Sequence, residues 1–142
     1  MGNVKVKIFL DEGAYMPTRG YEADAGLDLR CKEHVYLDGN ESVEVDTGVH
    51  LVIPEGYAGI LVSKSGLNVK HGITTTGLID ANYTDSIKVR VYNHSDEYTV
   101  FEPGDKITQI VFVKIPKVEL VMQEVLNLDS LRLDNGYGST GR

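Results

Sequence analysis

Three observations predict an all-β domain. Short β-type segments recur along the chain, turn-forming residues separate them, and long helical periodicity is absent. The chain has 142 residues, a usual length for one domain. A chain of this length buries roughly 70% of its extended surface on folding, so a hydrophobic core is feasible. We therefore expect one β-sandwich or β-barrel.

Seven segments have the composition of strands. The first, Val4–Leu10, alternates apolar and polar residues, as a strand with one buried face does. The others follow in order: Gly48–Pro54, Tyr57–Ser63, Ile87–Asn93, Tyr98–Phe101, Ile107–Ile115 and Val118–Val125. Turn-forming groups lie between them at 38–40, 54–56, 93–96 and 102–105. The best candidate for a helix is a short one at Ser65–His71.

Composition excludes several classes of function. The net charge of −7 argues against broad binding to nucleic acid or to an anionic membrane. Cys31 is the single cysteine, so we expect a small buried side chain and no intrachain disulfide. The sequence has no apolar run long enough for a membrane helix and no signal peptide at its N-terminus. We expect a cytoplasmic protein without direct nucleic-acid or membrane binding.

The stretch "TTTGLIDANY" at 74–83 is the first that could carry chemistry. Gly77 lies between two β-type segments, which favours a tight hairpin. Asp80 precedes Tyr83 by three residues. The pair is either a turn aspartate with a half-buried tyrosine, or a carboxylate base beside an aromatic platform; the spacing leaves both open.

Other polar groups stand beside predicted strands. Lys64, Ser65 and Gly66 follow one, where a cation, a hydroxyl and a free backbone amide could bind phosphate, although many loops have this composition. Asp28 is either a solvent-facing side chain or support for a divalent metal from its outer shell. Gln109 lies inside an apolar strand and needs a hydrogen-bond partner. His71 has no metal-ligand spacing around it, which favours a structural role.

The C-terminal stretch "RLDNGYGSTG" at 132–141 is rich in glycine and hydroxyl groups. Glycine-rich loops that bind phosphate usually open a helix. Here only Arg142 follows in the sequence, so a helix cap is not expected.

Five stretches, in this order, resemble the motifs of the trimeric dUTPase family, the deoxyuridine triphosphate nucleotidohydrolases. They are "AGLDL" (25–29), "SKSGL" (63–67), "GLIDANY" (77–83), "GDKITQIVF" (104–112) and "RLDNGYGSTG" (132–141). The resemblance covers nearly the whole chain. The sequence departs from the family pattern at Lys64, Leu133 and Tyr137, where arginine, glycine and phenylalanine are usual. The short hairpin near 71–77 resembles that of some bacteriophage enzymes.

The resemblance implies a jelly-roll-like homotrimer whose three active sites lie between subunits. It divides the chain into a β-barrel at 1–126 and a mobile C-terminal arm at 127–142. It implies that dUTP and water give dUMP and pyrophosphate with Mg²⁺, which keeps uracil out of DNA and supplies dUMP for thymidylate synthesis.

The resemblance also implies roles for single residues. Asp80 is the general base that activates the attacking water, and Tyr83 packs on deoxyribose. Asp28 holds metal-bound water. The hairpin around Ile73–Ile79 binds uracil through its backbone. The remaining substrate-binding residues implied are Lys64, Ser65, Gly66, Thr76, Gly77, Leu78, Ile79, Lys88, Gln109, Arg132, Tyr137, Gly138, Ser139 and Thr140.

Two other functions share this scaffold. A dCTP deaminase has a glutamate after its third motif, whereas the strand here, "SIKVRVYN", has none. The second alternative is a regulatory protein, since some phage dUTPases bind repressor-type partners. Asp80, Tyr83 and Gln109 argue against a scaffold that has lost catalysis.

Overall fold

The structure is a computed structural model, and it describes residues 2–125. Within these residues there are ten strands and one helix. In chain order the elements are β1 (Lys7–Leu10), β2 (Gly26–Arg30), β3 (Val35–Leu37), β4 (Ser42–Asp46), β5 (Val49–Val52), β6 (Tyr57–Val62), α1 (Ser65–His71), β7 (Ile73–Ile79), β8 (Lys88–Asn93), β9 (Thr99–Phe101) and β10 (Lys106–Lys114).

Six strands form the main antiparallel sheet, in the order β2-β10-β6-β7-β8-β4. Two smaller antiparallel pairs, β1 with β5 and β3 with β9, complete the described part. The nine-residue β10 pairs with β2 on one side and β6 on the other. The predicted all-β fold is therefore confirmed. Within residues 2–125 we find no helix with the length and apolar character needed to span a membrane.

Alternating side chains build the core. In β8, Val89 and Val91 are buried while Lys88 and Arg90 face outward. Ile110 of β10 is 1% exposed and belongs to the same apolar cluster. Burying a side chain of this size stabilises a fold by about 1.5–3 kcal/mol. Cys31 is also fully buried and is a free thiol, as expected.

The predicted helix is confirmed with the same bounds, Ser65–His71. It ends because Gly72 adopts the left-handed conformation, with φ of 68°, and its amide donates to the Asn68 carbonyl. Lys70 and His71 occupy the last turn, where positive charge is favourable. The helix separates β6 from β7 and places its first turn at the end of β6.

The prediction of a strand at Val118–Val125 is wrong. This segment forms no strand, and its apolar side chains are exposed, Leu120 at 93% and Met122 at 92%. Apolar β-type composition alone does not make a strand, because the backbone also needs a neighbouring strand to pair with. Four strands, β2, β3, β4 and β7, were missed. Charged residues interrupt the apolar pattern around β2, β3 and β4, and Gly77 suggested a turn inside β7.

The prediction of a hairpin turn at Gly77 is also wrong. Gly77 lies inside β7, opposite Leu61 of β6, and the turn begins after Ile79. A Cβ at Gly77 would stand 2.9 Å from the Leu61 side chain. The glycine is therefore required by close packing between two strands, a contact that local sequence does not reveal.

Candidate functional site

Asp28 is buried among lysines in the main sheet. Its side chain is 5% exposed and forms ion pairs with Lys64, and with Lys106 at 3.4 Å. The expectation of a solvent-facing aspartate is therefore wrong. β2 is an edge strand of the six-stranded sheet. The Thr18 backbone forms an antiparallel bridge with the Asp28 backbone along that edge. A buried carboxylate is costly unless it is paired, which the two ammonium groups achieve.

Lys64 lies at the end of β6 and is the N-cap residue of α1. Its ammonium group contacts Asp28, so two residues expected to bind different parts of a ligand instead contact each other. Two ammonium groups beside one carboxylate leave this corner net positive. Sequence reasoning missed Lys106, although it lies in the same stretch as Gln109.

Ser65 and Gly66 form the first turn of α1 and are exposed. The first intrahelical bond joins the Asn68 amide to the Lys64 carbonyl, at 2.9 Å. The amides before it therefore have no partner within the helix. The N-cap makes no side-chain hydrogen bond, and the first turn has no acidic residue. These amides directly follow Lys64 in the chain.

Gln109 has the hydrogen-bond partner that the sequence demanded. Its Nε2 donates to the Ser63 carbonyl at 3.0 Å, which ties β10 to the end of β6. Its carboxamide lies over Gly26 of β2, where any side chain would collide with it. Gln109 of β10 and Asp28 of β2 are directly opposite each other in the sheet, so the Gln109 side chain lies beside the Asp28 side chain. We call Asp28, Lys64, Ser65, Lys106 and Gln109 the basic corner.

Asp80 and Tyr83 share one turn after β7. The Tyr83 amide donates to the Asp80 carbonyl at 3.1 Å, and the Tyr83 hydroxyl donates to the Ser86 carbonyl at 2.8 Å. Asp80 is exposed, and Tyr83 is 36% exposed. The phenol group is therefore fixed at one end, while part of the ring is open to a ligand. The arrangement fits both a turn aspartate and a base beside an aromatic surface.

The neighbouring residues predicted to bind substrate lie on β7 and β8. Thr76 and Leu78 face outward, Gly77 is half-buried, and Ile79 belongs to the core. Lys88 is exposed at the start of β8, opposite Asp46 of β4. The predicted residues Arg132, Tyr137, Gly138, Ser139 and Thr140, and the predicted arm at 127–142, lie outside the described residues.

The basic corner and the Asp80 turn lie at opposite ends of β7. Ser63, next to Lys64, hydrogen-bonds to the Thr75 backbone. Thr75 lies on β7, five residues before Asp80, which directly follows the end of that strand. At about 3.3 Å per residue, the two groups are separated by about 16 Å along the strand. One chain thus brings together Asp28, Lys64 and Gln109, but not Asp80 with them.

The side chains of the basic corner could hold a metal ion only through water molecules or through the oxygens of a bound ligand. No three His, Cys, Asp or Glu side chains gather as a metal site within residues 2–125. Asp28 offers one carboxylate, and both of its oxygens contact ammonium groups. Mg²⁺ commonly keeps several waters and completes its shell with substrate phosphates. The basic corner therefore fits an outer-shell role for Asp28 and not a site made by the protein alone.

A family model for dUTPase matches residues 12–141, which include all five motif stretches. The chain belongs to the dUTPase family. A deoxyuridine 5'-triphosphate nucleotidohydrolase of Fusobacterium nucleatum is 41% identical, with 100% of both chains covered. One from Debaryomyces hansenii is 36% identical, over 96% of this chain and 88% of that protein.

Solved dUTPases have the same fold. A variant of the Staphylococcus bacteriophage 80alpha dUTPase with dUpNHpp matches with a TM-score of 0.87 at 28% identity, over 99% of this chain and 100% of that chain. A variant of the dUTPase from phage phi11 of S. aureus, described with a structural Mg(II) ion, has a TM-score of 0.81 at 29% identity, over 86% and 98%. The predicted family is confirmed, and these solved structures are of phage origin.

Proposed function

We propose that this chain hydrolyses dUTP to dUMP and pyrophosphate, which keeps uracil out of DNA and supplies dUMP for thymidylate synthesis. The observation that carries the proposal is the basic corner. It joins residues of three separate motifs, Asp28, Lys64 and Gln109, in a chain that matches dUTPases over residues 12–141. Hydrolysis of a triphosphate depends on positioning and charge neutralisation, which this corner supplies.

The triphosphate would bind at the basic corner. Lys64 and Lys106 supply positive charge, Ser65 a hydroxyl group, and Gly66 an amide without an intrahelical partner. The lysines are 27% and 44% exposed, so a phosphate can reach them without unfolding the sheet. Mg²⁺ bound with the nucleotide would neutralise phosphate charge, and Asp28 would orient its water ligands.

The nucleoside would bind at the Asp80 turn. Asp80 is exposed and can take a proton from the water that attacks the α-phosphorus. The half-open face of Tyr83 would pack on deoxyribose and leave no room for a 2′-hydroxyl. The backbone at 76–79 would bind uracil and exclude cytosine, whose amine puts a donor where uracil has an acceptor. Lys88 lies beyond this turn as an additional cation.

A complete site would need more than one copy of the chain. The separation of about 16 Å along β7 is the first support, because base and phosphate-binding groups must meet at one phosphorus atom. The exposed apolar segment is the second, since residues such as Leu120, Val121 and Met122 are 80–93% exposed in one chain. We propose a homotrimer, with the arm at 127–142 closing over a neighbouring site through Arg132, Tyr137, Gly138, Ser139 and Thr140.

The proposal is tested by measuring pyrophosphate release from dUTP, dCTP, dTTP and UTP, with and without Mg²⁺. Of the four nucleotides, we expect only dUTP to release pyrophosphate, and only when Mg²⁺ is present. In sedimentation, the active particle should have three times the chain mass of 15.7 kDa. Release of ammonia from dCTP would instead indicate the deaminase of the same fold. A fully active particle of single-chain mass would contradict the shared site.

A second function, binding of a repressor-type protein, is supported by one comparison. Staphylococcus bacteriophage 80alpha dUTPase, which matches this chain with a TM-score of 0.82, is described as controlling transfer of virulence genes by a G protein-like mechanism. Co-elution of this protein with a phage repressor in size-exclusion chromatography, with and without dUpNHpp, tests the idea. Separate elution in both conditions would leave only the enzymatic function.

A further inference from the structure

The loop that carries Asp80 and Tyr83 is anchored to the turn between β4 and β5. The Ile87 amide donates to the Val49 carbonyl at 2.8 Å, and the Thr47 amide donates to the Ile87 carbonyl at 3.0 Å. Ser86 Oγ donates to an Asp46 carboxylate oxygen. Because the Tyr83 hydroxyl donates to the Ser86 carbonyl, the ring of Tyr83 follows the position of this anchored backbone.

His50 adds a contact nearer to Tyr83. Its Nδ1 lies 2.8 Å from the Thr84 carbonyl oxygen, and its Nε2 lies 2.9 Å from Asp11 Oδ1. A carbonyl oxygen can only accept a hydrogen bond, and so can an ionised carboxylate. Both contacts are satisfied together only when both ring nitrogens carry protons. Neutral imidazole has one N–H, and the ionised Asp11 carboxylate is a stronger acceptor than the Thr84 carbonyl. The remaining proton therefore stays on Nε2, and Nδ1 loses its hydrogen bond to the loop.

The surroundings of His50 favour its charged form. The Thr84 carbonyl raises the pKa of His50 above its ordinary 6.5, the Asp11 hydrogen bond and charge add to this, and Asp46 contributes from the end of β4, while burial opposes them. From β1, the ring edge of Phe9 packs against the imidazole, with centroids 5.6 Å apart, and it carries no charge. The side chain of His50 is 25% exposed, so protons exchange readily with solvent.

We propose that His50 is a positioning residue for substrate binding: its protonated ring holds the Thr84 carbonyl, and deprotonation releases the loop that carries Tyr83. The inference rests on the proposed role of this loop in binding the nucleoside. The folded protein holds the proton more tightly than the unfolded chain, so the contact is fully present below pH 6.5. It is lost as pH rises through the higher value of the folded state.

The first test compares KM and kcat for dUTP between pH 5.5 and 9 in the wild-type protein and in His50→Gln. Glutamine keeps a donor and does not titrate. We expect the wild-type KM to rise about three- to tenfold relative to the variant as His50 loses its proton, which is the effect of one hydrogen bond. Dividing by the KM of the variant removes the effect of ionisation of the substrate itself. We expect kcat to change little, because Asp80 directly follows Ile79, which pairs with Gly59 of β6, so the sheet holds that end of the loop.

A matched control is His34→Gln. His34 also pairs with a carboxylate, Glu102 at 3.0 Å, but stands away from the loop with a side chain 59% exposed. Its pH profile should follow that of the wild type. A ratio of KM between wild type and His50→Gln that is constant across this pH range would overturn the proposal, as would an equal change in His34→Gln.

A second measurement needs no activity. In an NMR titration, the His50 ring signal, assigned from its loss in His50→Gln, should have a midpoint above 6.5, and the Tyr83 and Thr84 amides should shift with it. In Asp11→Asn the midpoint should fall. If the amides do not follow the ring, the positioning role is wrong. If the amides follow the ring but neither the wild-type protein nor any variant hydrolyses dUTP, the proposed function is wrong while the coupling of His50 to the loop stands.

Discussion

Replacing Asp28 with asparagine tests the basic corner directly. The change keeps the size and hydrogen-bonding shape of the side chain but removes its charge. Lys64 and Lys106 then face each other without a counter-charge in a place where the carboxylate is only 5% exposed. The unfolded chain does not suffer this loss, so we expect the variant to be less stable than the wild type.

The magnitude follows from the exposure of the three groups. Removing one partner of a fully buried ion pair costs about 3–5 kcal/mol. Here Lys64 is 27% and Lys106 44% exposed, so both ammonium groups can turn toward water and recover part of their hydration. We therefore expect a fall in the free energy of unfolding of about 1–3 kcal/mol, the usual cost of leaving a buried polar group without its partner.

The assay is denaturant unfolding at a fixed chain concentration, because association would otherwise shift the apparent stability. A double-mutant cycle with Lys64→Met isolates the contact. The control is Asp24→Asn, an exposed aspartate whose carboxylate accepts a hydrogen bond from the Tyr21 amide. If the effects of Asp28→Asn and Lys64→Met add within about 0.5 kcal/mol, the two side chains are not coupled and our reasoning is refuted. The metal role of Asp28 predicts, in addition, that Asp28→Asn needs more Mg²⁺ for half-maximal hydrolysis.

Four further predictions concern the proposed reaction and the loop. Asp80→Asn should lower kcat by about 10²–10⁴-fold with little change in dUTP binding, and normal turnover in stopped assays would refute its role as base. Tyr83→Ala should weaken dUTP binding and narrow the dUTP/UTP preference; an unchanged preference means that another residue excludes the 2′-hydroxyl. Truncation after Asp129 should leave the melting temperature unchanged but reduce hydrolysis at least tenfold, about 1.4 kcal/mol, whereas full activity would leave the arm without a role. Burial would raise the pKa of Asp46, but bonds from Ser86 and the Gly48 amide outweigh it and hold the pKa below the ordinary 3.8. Asp46→Asn should therefore cost about 1–2 kcal/mol at pH 7, and the difference should vanish as pH falls well below 3.8, a trend that chemical denaturation at several pH values would reveal or exclude.

Local patterns in the sequence determined several features of this protein correctly. Turn-forming residues and short apolar segments predicted an all-β fold, because β-type composition and turn chemistry depend on neighbouring residues. Local patterns also predicted the helix Ser65–His71 and the hydrogen-bond partner that Gln109 needs. The order of five motifs was sufficient to identify the family, since a motif is itself a local pattern.

Tertiary structure alone decided which distant residues meet. The Asp28–Lys64 pair joins positions 36 apart, and the contact of His50 with Thr84 joins positions 34 apart, so neither is visible in a local window. Gly77 was mistaken for a turn because its reason lies on another strand, at Leu61. The segment 118–125 has the composition of a strand but no neighbouring strand within residues 2–125. In each case composition supplies the preference, while hydrogen-bonding partners and packing space, which exist only in the folded protein, determine the outcome.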